Sequence, residues 1–67
     1  MAIMKTIEVL SESDKSFEAA IEHAVKRTSK TVKNIRSAYV NEMSTSIKDN
    51  KIAMYRVNVK ITFEVGE

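Results

Sequence analysis

The stretch from Lys51 to Val65 alternates between apolar and polar side chains throughout its length. Its odd-numbered positions carry the apolar side chains, which are Ala53, Tyr55, Val57, Val59, Ile61, Phe63 and Val65. Successive side chains of a β-strand point to opposite faces, so this pattern predicts a strand with one apolar and one polar face. At about 3.3 Å per residue the strand would be about 50 Å long, whereas a typical strand has about 5–6 residues. The rest of the chain must cover this long apolar face, or another molecule must.

The chain has 67 residues, enough for one domain with a small core. A domain of this size buries about 60% of the surface that its unfolded chain exposes. Cysteine is absent, so neither disulfides nor thiolate metal sites can supplement the core. We therefore expect a single domain over residues 1–67 that gains stability by oligomerisation.

The charges indicate a solvated surface. Eleven Lys and Arg residues against nine Asp and Glu residues give a net charge of +2, and they are interspersed along the chain. This distribution favours no nucleic-acid partner. The apolar residues near the start are interrupted by Lys5 and Glu8, which argues against a signal sequence or a membrane span. We expect a cytoplasmic protein without membrane contact.

The residues before Lys51 predict two more strands and a helix. Alternation over residues 3–10 indicates the first strand. Ser16 is the preferred helix N-cap, with Ser13 as the alternative. Ser16 is preferred because side chains at helical spacing follow it, at Phe17, Ala20, Ile21, Ala24, Val25 and Thr28. Alternation returns over residues 34–47 and indicates the second strand.

The order strand, helix, strand, strand predicts an α+β fold. Asp49 and Asn50 tolerate positive φ and are expected to form the tight turn between the last two strands. With the third strand in the middle, the sheet is fully antiparallel and the helix lies on one face. A helix of about fifteen residues covers only ~22 Å, which leaves about half of the apolar face of the hairpin uncovered. An exposed patch of this size predicts an obligate homo-oligomer.

The sequence gives little support for enzyme chemistry. The single histidine, His23, is expected on the side of the helix that faces water. Neither a phosphate-binding glycine loop nor a nucleophile elbow nor a His/Cys ligand spacing accompanies it. We therefore expect that the protein is not an enzyme.

The candidates for ligand binding lie on the polar face of the sheet, at Ser37, Tyr39, Arg56 and Asn58. Tyr39 would stack on a planar ligand and Arg56 would hold an anionic group. Acidic residues on this face are sparse, with Glu42 and Glu64 as the candidates. Metal ligands are therefore not assigned on one chain, although symmetry-related copies would be able to assemble an oxygen-rich site.

Three segments of the chain resemble the dodecins, a family of small bacterial and archaeal proteins. They are residues 16–21 (SFEAAI), 31–35 (TVKNI) and 54–63 (MYRVNVKITF), and the resemblance spans nearly the whole chain. It implies a dodecin-like β-α-β-β fold, in which the three-stranded antiparallel sheet partly wraps the helix. It also implies a homododecamer, in which twelve copies form a hollow shell.

Most characterised dodecins bind flavins such as FMN or riboflavin in stacked pairs between subunits, and are thought to store them. The resemblance places the stacking tryptophan of the family at Ser37 and its hydrogen-bonding glutamine at Arg56. Serine has no ring, and stacking on an aromatic side chain is worth on the order of 1–3 kcal/mol. Arginine donates hydrogen bonds but cannot accept one from the flavin ring N–H. The chain thus resembles a divergent branch without the flavin pair, of which some members have been associated with calcium.

We therefore expect a non-catalytic dodecin-like shell that binds or sequesters a small ligand, with flavin disfavoured and calcium a candidate. The first alternative is a flavin-storage dodecin with an altered site. The second is a scaffold protein that binds no small ligand.

Overall fold

The computed structural model describes residues 2–66 and contains β1 (Ile3–Ser13), α1 (Phe17–Thr28), β2 (Ile35–Lys48) and β3 (Lys51–Val65). β3 is the central strand and pairs antiparallel with both other strands, in the order β1-β3-β2. The prediction of an α+β fold with a three-stranded antiparallel sheet and one helix is confirmed. The molecule is 51 Å long, as expected from the length of β3.

The helix α1 begins where Ser16 caps its first turn. The hydroxyl Oγ of Ser16 accepts a hydrogen bond from the backbone N–H of Ala19 at 2.9 Å, as predicted for an N-cap serine. The helix ends at Thr28 and has 12 residues, fewer than expected, so it covers only about 18 Å. Ala20 and Ala24 are buried against the sheet, because their small side chains allow a close approach.

The core lies between α1 and the middle of β3. Val57, Val59 and Ile61 are fully buried, and Ala20 packs with them. Partly buried apolar side chains surround this cluster, at Ile7, Val9, Phe17, Ile21, Val25 and Ile35. The helix lies mainly over β1 and β3, so most of β2 receives no cover from α1.

The strand β1 continues to Ser13, beyond the predicted end of the strand at residue 10. Leu10, which interrupts the apolar alternation, pairs with Asn58 on the face away from the helix and is 69% exposed. Ser11 lies on the helix side and is only 8% exposed. Its Oγ has no hydrogen-bond partner among residues 2–66.

A tight turn joins β2 to β3, with φ of 53° at Asp49 and 61° at Asn50, which confirms the predicted turn. The pairing of β2 with β3 is irregular at three points, and one of them lies between Val40 and Glu42. Strict alternation from Ser37 and Tyr39 predicts Asn41 on the polar side of the sheet. Because of the irregularity, Glu42 stands opposite a polar side chain of β3 instead.

The far half of the hairpin exposes apolar side chains on the helix side of the sheet. Met43, Ile47 and Ile52, which we call the hairpin strip, are 53%, 60% and 52% exposed. Ile52 lies on the same side as Ile47 because the register shift after Ser46 makes these two isoleucines a cross-strand pair. The helix therefore leaves part of the apolar face uncovered, as the sequence predicted.

Candidate functional site

The sheet face opposite α1 carries polar side chains on all three strands. We call it the polar face, formed by Thr6, Glu8 and Glu12 of β1, Arg56, Asn58, Lys60 and Thr62 of β3, and Ser37, Tyr39, Glu42 and Ser44 of β2. These residues share one face because the side chains of each strand alternate and the register aligns the alternation. Directly opposite residues have Cβ atoms about 4.5–5.5 Å apart, so the register determines which side chains are neighbours.

Arg56 is held by an acidic residue of the same chain. Its Nε donates a hydrogen bond to Oε2 of Glu12 at 2.8 Å, and its Nη2 lies 2.6 Å from the same oxygen. The two side chains are 51% and 39% exposed, so the ion pair contributes little to stability. It does, however, engage the Nε and Nη2 groups that Arg56 would offer to an anionic ligand.

Asn58 lies between two carboxylates. Its Nδ2 donates a hydrogen bond to Oε2 of Glu8 at 2.7 Å, and its cross-strand partner on β2 is Glu42. An ionised carboxylate only accepts hydrogen bonds, so the amide group turns its nitrogen toward Glu8 and its oxygen away. This oxygen, Oδ1, is buried and has no hydrogen-bond partner within residues 2–66. Leaving such an acceptor unpaired costs on the order of 1–3 kcal/mol.

Ser37 belongs to a row of hydroxyl groups. Its cross-strand partner is Thr62, and the Oγ1 atoms of Thr62 and Thr6 are 3.0 Å apart in a hydrogen bond. The neighbouring row contains Lys60 opposite Tyr39, whose side chain is 66% exposed. The row around Ser37 therefore offers hydrogen-bonding groups, whereas the ring of Tyr39 lies in the next row of the polar face.

The four predicted binding residues share the polar face but are not gathered at one point of it. Ser37 stands opposite Thr62, six residues along β3 from Arg56. At about 3.3 Å per residue, Ser37 and Arg56 are roughly 20 Å apart in one chain. Tyr39 and Asn58 lie between them. A pocket that uses both Ser37 and Arg56 would need a neighbouring copy, and the site as predicted from the sequence stays a prediction.

Two acidic residues of the polar face were missed in the sequence. Glu8 and Glu12 lie at alternate positions of β1 and face the same way as Asn58. The alternation that predicted β1 contained the signal for Glu8, whereas Glu12 lies beyond the predicted end of the strand. Of the two acids that were predicted, Glu64 accepts hydrogen bonds from Arg36 at 2.8 and 3.1 Å.

Within residues 2–66 no three His, Asp or Glu side chains lie close enough together to hold a metal ion. His23 is exposed, as predicted. None of the helical residues in this part of the chain forms a segment long and apolar enough to cross a membrane. The cytoplasmic location and the absence of a nucleic-acid partner stay predictions.

The fold and the polar face define a class of small β-α-β-β proteins in which a long antiparallel hairpin projects beyond a single capped helix. Residues 3–66 match the family model described as Dodecin. The chain belongs to the dodecin family, which confirms the resemblance seen in the sequence. No curated protein sequence matches the chain.

Solved dodecin structures share this fold. A mutant of the Thermus thermophilus dodecin has a TM-score of 0.95 and 27% sequence identity, with 100% of both chains covered. The Streptomyces coelicolor dodecin has a TM-score of 0.94 and 26% identity, covering 98% of this chain and 94% of its own. The calcium dodecin of Mycobacterium tuberculosis, described as a calcium-chelating antigen with a novel calcium-binding site, has a TM-score of 0.83 and 31% identity, covering 96% and 91%.

Proposed function

We propose that this chain is the subunit of a non-catalytic, homododecameric dodecin shell whose polar face binds or sequesters a small ligand other than a flavin. Membership of the dodecin family supports a small ligand-binding protein of this kind. The observation that carries the choice of ligand is the buried Oδ1 of Asn58, which has no hydrogen-bond partner among residues 2–66. The cross-strand partner of Asn58 is Glu42.

A flavin does not fit the residues of the polar face. Ser37 offers no ring on which an isoalloxazine would stack, and the loss of one stacking contact costs on the order of 1–3 kcal/mol. The guanidinium of Arg56 is engaged by Glu12 and cannot accept a hydrogen bond. The resemblance to the family assigns flavin binding to these two positions. One of them therefore lacks the stacking ring, and the other lacks the hydrogen-bond acceptor.

Calcium fits the oxygen atoms of the polar face better. Ca²⁺ prefers carboxylate and amide oxygens and takes 6–8 of them. Asn58 supplies an unpaired amide oxygen, its cross-strand partner Glu42 supplies a carboxylate, and Glu8 lies on its other side. Further oxygens would come from a neighbouring copy of the chain. The description of the M. tuberculosis relative as a calcium dodecin also supports this ligand.

A thermal unfolding experiment tests calcium binding. We expect calcium chloride to raise the Tm above that measured with a chelator, because a ligand that binds only the folded state stabilises it by about 2.7 kcal/mol at 100 times its Kd. Glu42→Gln is expected to remove most of this increase. Glu64→Gln is the matched control and is expected to retain it, because Glu64 is paired with Arg36.

An unchanged Tm of the native protein at millimolar calcium would contradict the calcium proposal. An increase that survives in Glu42→Gln would contradict the assignment of the residues. If the protein binds neither calcium nor a flavin, the alternative of a scaffold without a small ligand replaces the proposal.

Flavin storage with an altered site is the second candidate, and the exposed ring of Tyr39 on the polar face is the observation that favours it. We expect that micromolar native protein leaves the fluorescence of added riboflavin unquenched. Quenching that disappears in Tyr39→Ala would replace our proposal with a flavin site built on this tyrosine.

The homo-oligomer is tested separately by light scattering at micromolar concentration. We expect a mass near twelve times that of the 7.6 kDa chain. The exposed hairpin strip supports this expectation, because apolar patches of this kind mark interfaces. A mass near that of one chain would refute the shell whatever ligand the protein binds.

A further inference from the structure

The solvent side of α1 carries four charges in the order acid, acid, base, base. Glu18, Glu22, Lys26 and Lys30, which we call the charged stripe, are spaced four residues apart, so they follow one side of the helix. Lys30 lies in the turn that continues from the end of α1. All four residues are exposed, because Ala20 and the other core-facing residues occupy the opposite side of the helix.

The charged stripe has no ion-pair partner among residues 2–66. Ion pairs within residues 2–66 are confined to Arg36–Glu64 and Arg56–Glu12. Glu22 and Lys26 are spaced i,i+4 on the helix, but they do not form an ion pair with each other. Four charges of two signs remain available to another molecule.

The order of these charges is self-complementary. Consider two copies whose α1 helices pack antiparallel, related by a two-fold axis at the level of Ala24. In this arrangement Glu18 of one copy faces Lys30 of the second copy. Glu22 then faces Lys26 of the second copy, and each contact occurs twice because a two-fold interface is isologous. A partner with charges of one sign would match only half of the stripe and would be repelled by the other half.

We propose that two copies of this chain pack α1 against α1 in antiparallel orientation through the charged stripe. This inference rests on the homo-oligomer of the proposed function. Exposed ion pairs are individually weak, so the contact needs the high effective concentration that a shared assembly provides. The stripe would therefore select the orientation of neighbouring copies rather than drive their association, as charge complementarity generally does at interfaces.

The same order of charges also suits the dipole of an isolated helix, since acids favour its N-terminus and bases its C-terminus. An experiment must therefore separate contacts between copies from effects within one helix. Two charge reversals do so: Glu22→Lys and Lys26→Glu. Each reversal disrupts the order of charges along its own helix. A copy with Glu22→Lys is nevertheless complementary to a copy with Lys26→Glu, because positions 22 and 26 face each other between the copies.

Disulfide formation between copies provides the measurement, because the chain has no cysteine of its own. Copies with Glu18→Cys and copies with Lys30→Cys are co-expressed under different tags and oxidised. We expect rapid crosslinking between positions 18 and 30. Copies that all carry Glu18→Cys are the geometric control and are expected not to crosslink, because two antiparallel helices place these positions about 18 Å apart.

The charge reversals are then added to the two cysteine variants. With Glu22→Lys in both, we expect crosslinking about tenfold slower, since opposed like charges cost about 1.4 kcal/mol, which is a factor of ten. With Glu22→Lys in one and Lys26→Glu in the other, we expect the native rate to return.

A rate that stays low in the mixed pair would overturn the proposal, because an effect within each helix is not rescued by mixing. If the two cysteine variants with native Glu22 and Lys26 do not crosslink, although light scattering shows an oligomer, the proposal is overturned as well and the shell itself stands. A monomeric mass would instead show that the proposed function has failed.

Discussion

Single residues of β1 determine what the polar face offers to a ligand. Glu12 engages the guanidinium of Arg56, and Glu8 accepts a hydrogen bond from the amide nitrogen of Asn58, whose oxygen has no donor among residues 2–66. These two contacts leave the amide oxygen of Asn58 as an unpaired acceptor within residues 2–66. The positions that the resemblance assigns to flavin binding hold Ser37 and Arg56, and this is the physical basis on which we propose a ligand other than a flavin.

Restoring the two family residues tests this explanation. We predict that the double variant Ser37→Trp with Arg56→Gln quenches riboflavin fluorescence at micromolar protein, because the tryptophan supplies a stacking surface and the glutamine both donates and accepts. Ser37→Trp alone is the control, and its affinity should be at least about tenfold weaker, since one hydrogen bond to the ring is then missing. A correctly assembled double variant that leaves riboflavin unquenched would show that other residues of the polar face exclude the flavin.

Ser11 gives a second prediction at this scale. Its side chain is 8% exposed, and its Oγ has no hydrogen-bond partner among residues 2–66. A buried hydroxyl without a partner loses its contacts with water and gains none in exchange. We predict that Ser11→Ala raises the free energy of unfolding by about 1 kcal/mol, measured by urea unfolding at fixed protein concentration.

Ser13 on the same strand is the matched control for this change. Its Oγ accepts a hydrogen bond from the backbone N–H of Lys15 at 3.0 Å. Ser13→Ala should therefore leave stability unchanged or lower it by a few tenths of a kcal/mol. A destabilised Ser11→Ala protein would mean that the hydroxyl of Ser11 is satisfied in solution.

At the scale of the elements, the periodicity of the sequence predicted the helix and the strands whose apolar sides pack against each other within one chain. The helix and its cap at Ser16 follow from the spacing of the core-facing side chains, and β3 follows from its strict alternation. The end of β1 could not be predicted in this way, because Leu10 is apolar yet lies exposed on the polar face. The irregular pairing near Asn41 was also unpredictable, since a bulge depends on how two strands meet rather than on the pattern of either one.

The cap at Ser16 provides the prediction for the helix. Ser16→Ala removes the hydrogen bond that the N–H of Ala19 donates to Oγ at 2.9 Å. We predict a loss of about 1 kcal/mol in the free energy of unfolding. Ser16→Asp is the conservative control and should retain most of the stability, because aspartate is an equally good N-cap residue. Equal stability of Ser16→Ala and the native protein would show that the first turn of α1 is held by packing alone.

At the scale of the whole molecule, α1 covers only part of the apolar face of the sheet. The single chain therefore leaves apolar surface that only another copy would cover. The molecule is 51 Å long, whereas its helix covers about 18 Å. Ser37 and Arg56 lie at distant points of the polar face, so no pattern within one chain could reveal a pocket that uses both. The fold was therefore predictable from the sequence, whereas the ligand and the geometry of its site were not.

The hairpin strip is where the assembly should be most sensitive to substitution. Ile47 is 60% exposed in the single chain and forms a cross-strand pair with Ile52, whose side chain is 52% exposed. If a neighbouring copy covers this pair, Ile47→Lys places an ammonium group in an apolar interface, where an unpaired charge is strongly unfavourable. Because Ile47 lies far from the buried cluster of Val57, Val59 and Ile61, the substitution should leave the fold of the chain itself intact.

We therefore predict that Ile47→Lys reduces the mass measured by light scattering from that of the assembly to that of one chain or a small oligomer. Its circular dichroism spectrum should still show the native content of strand and helix. Ile47→Val keeps the apolar surface and should assemble as the native protein does. A full-size assembly of Ile47→Lys would mean that the hairpin strip faces solvent in the shell. The contacts between copies would then be made by the polar face or by α1.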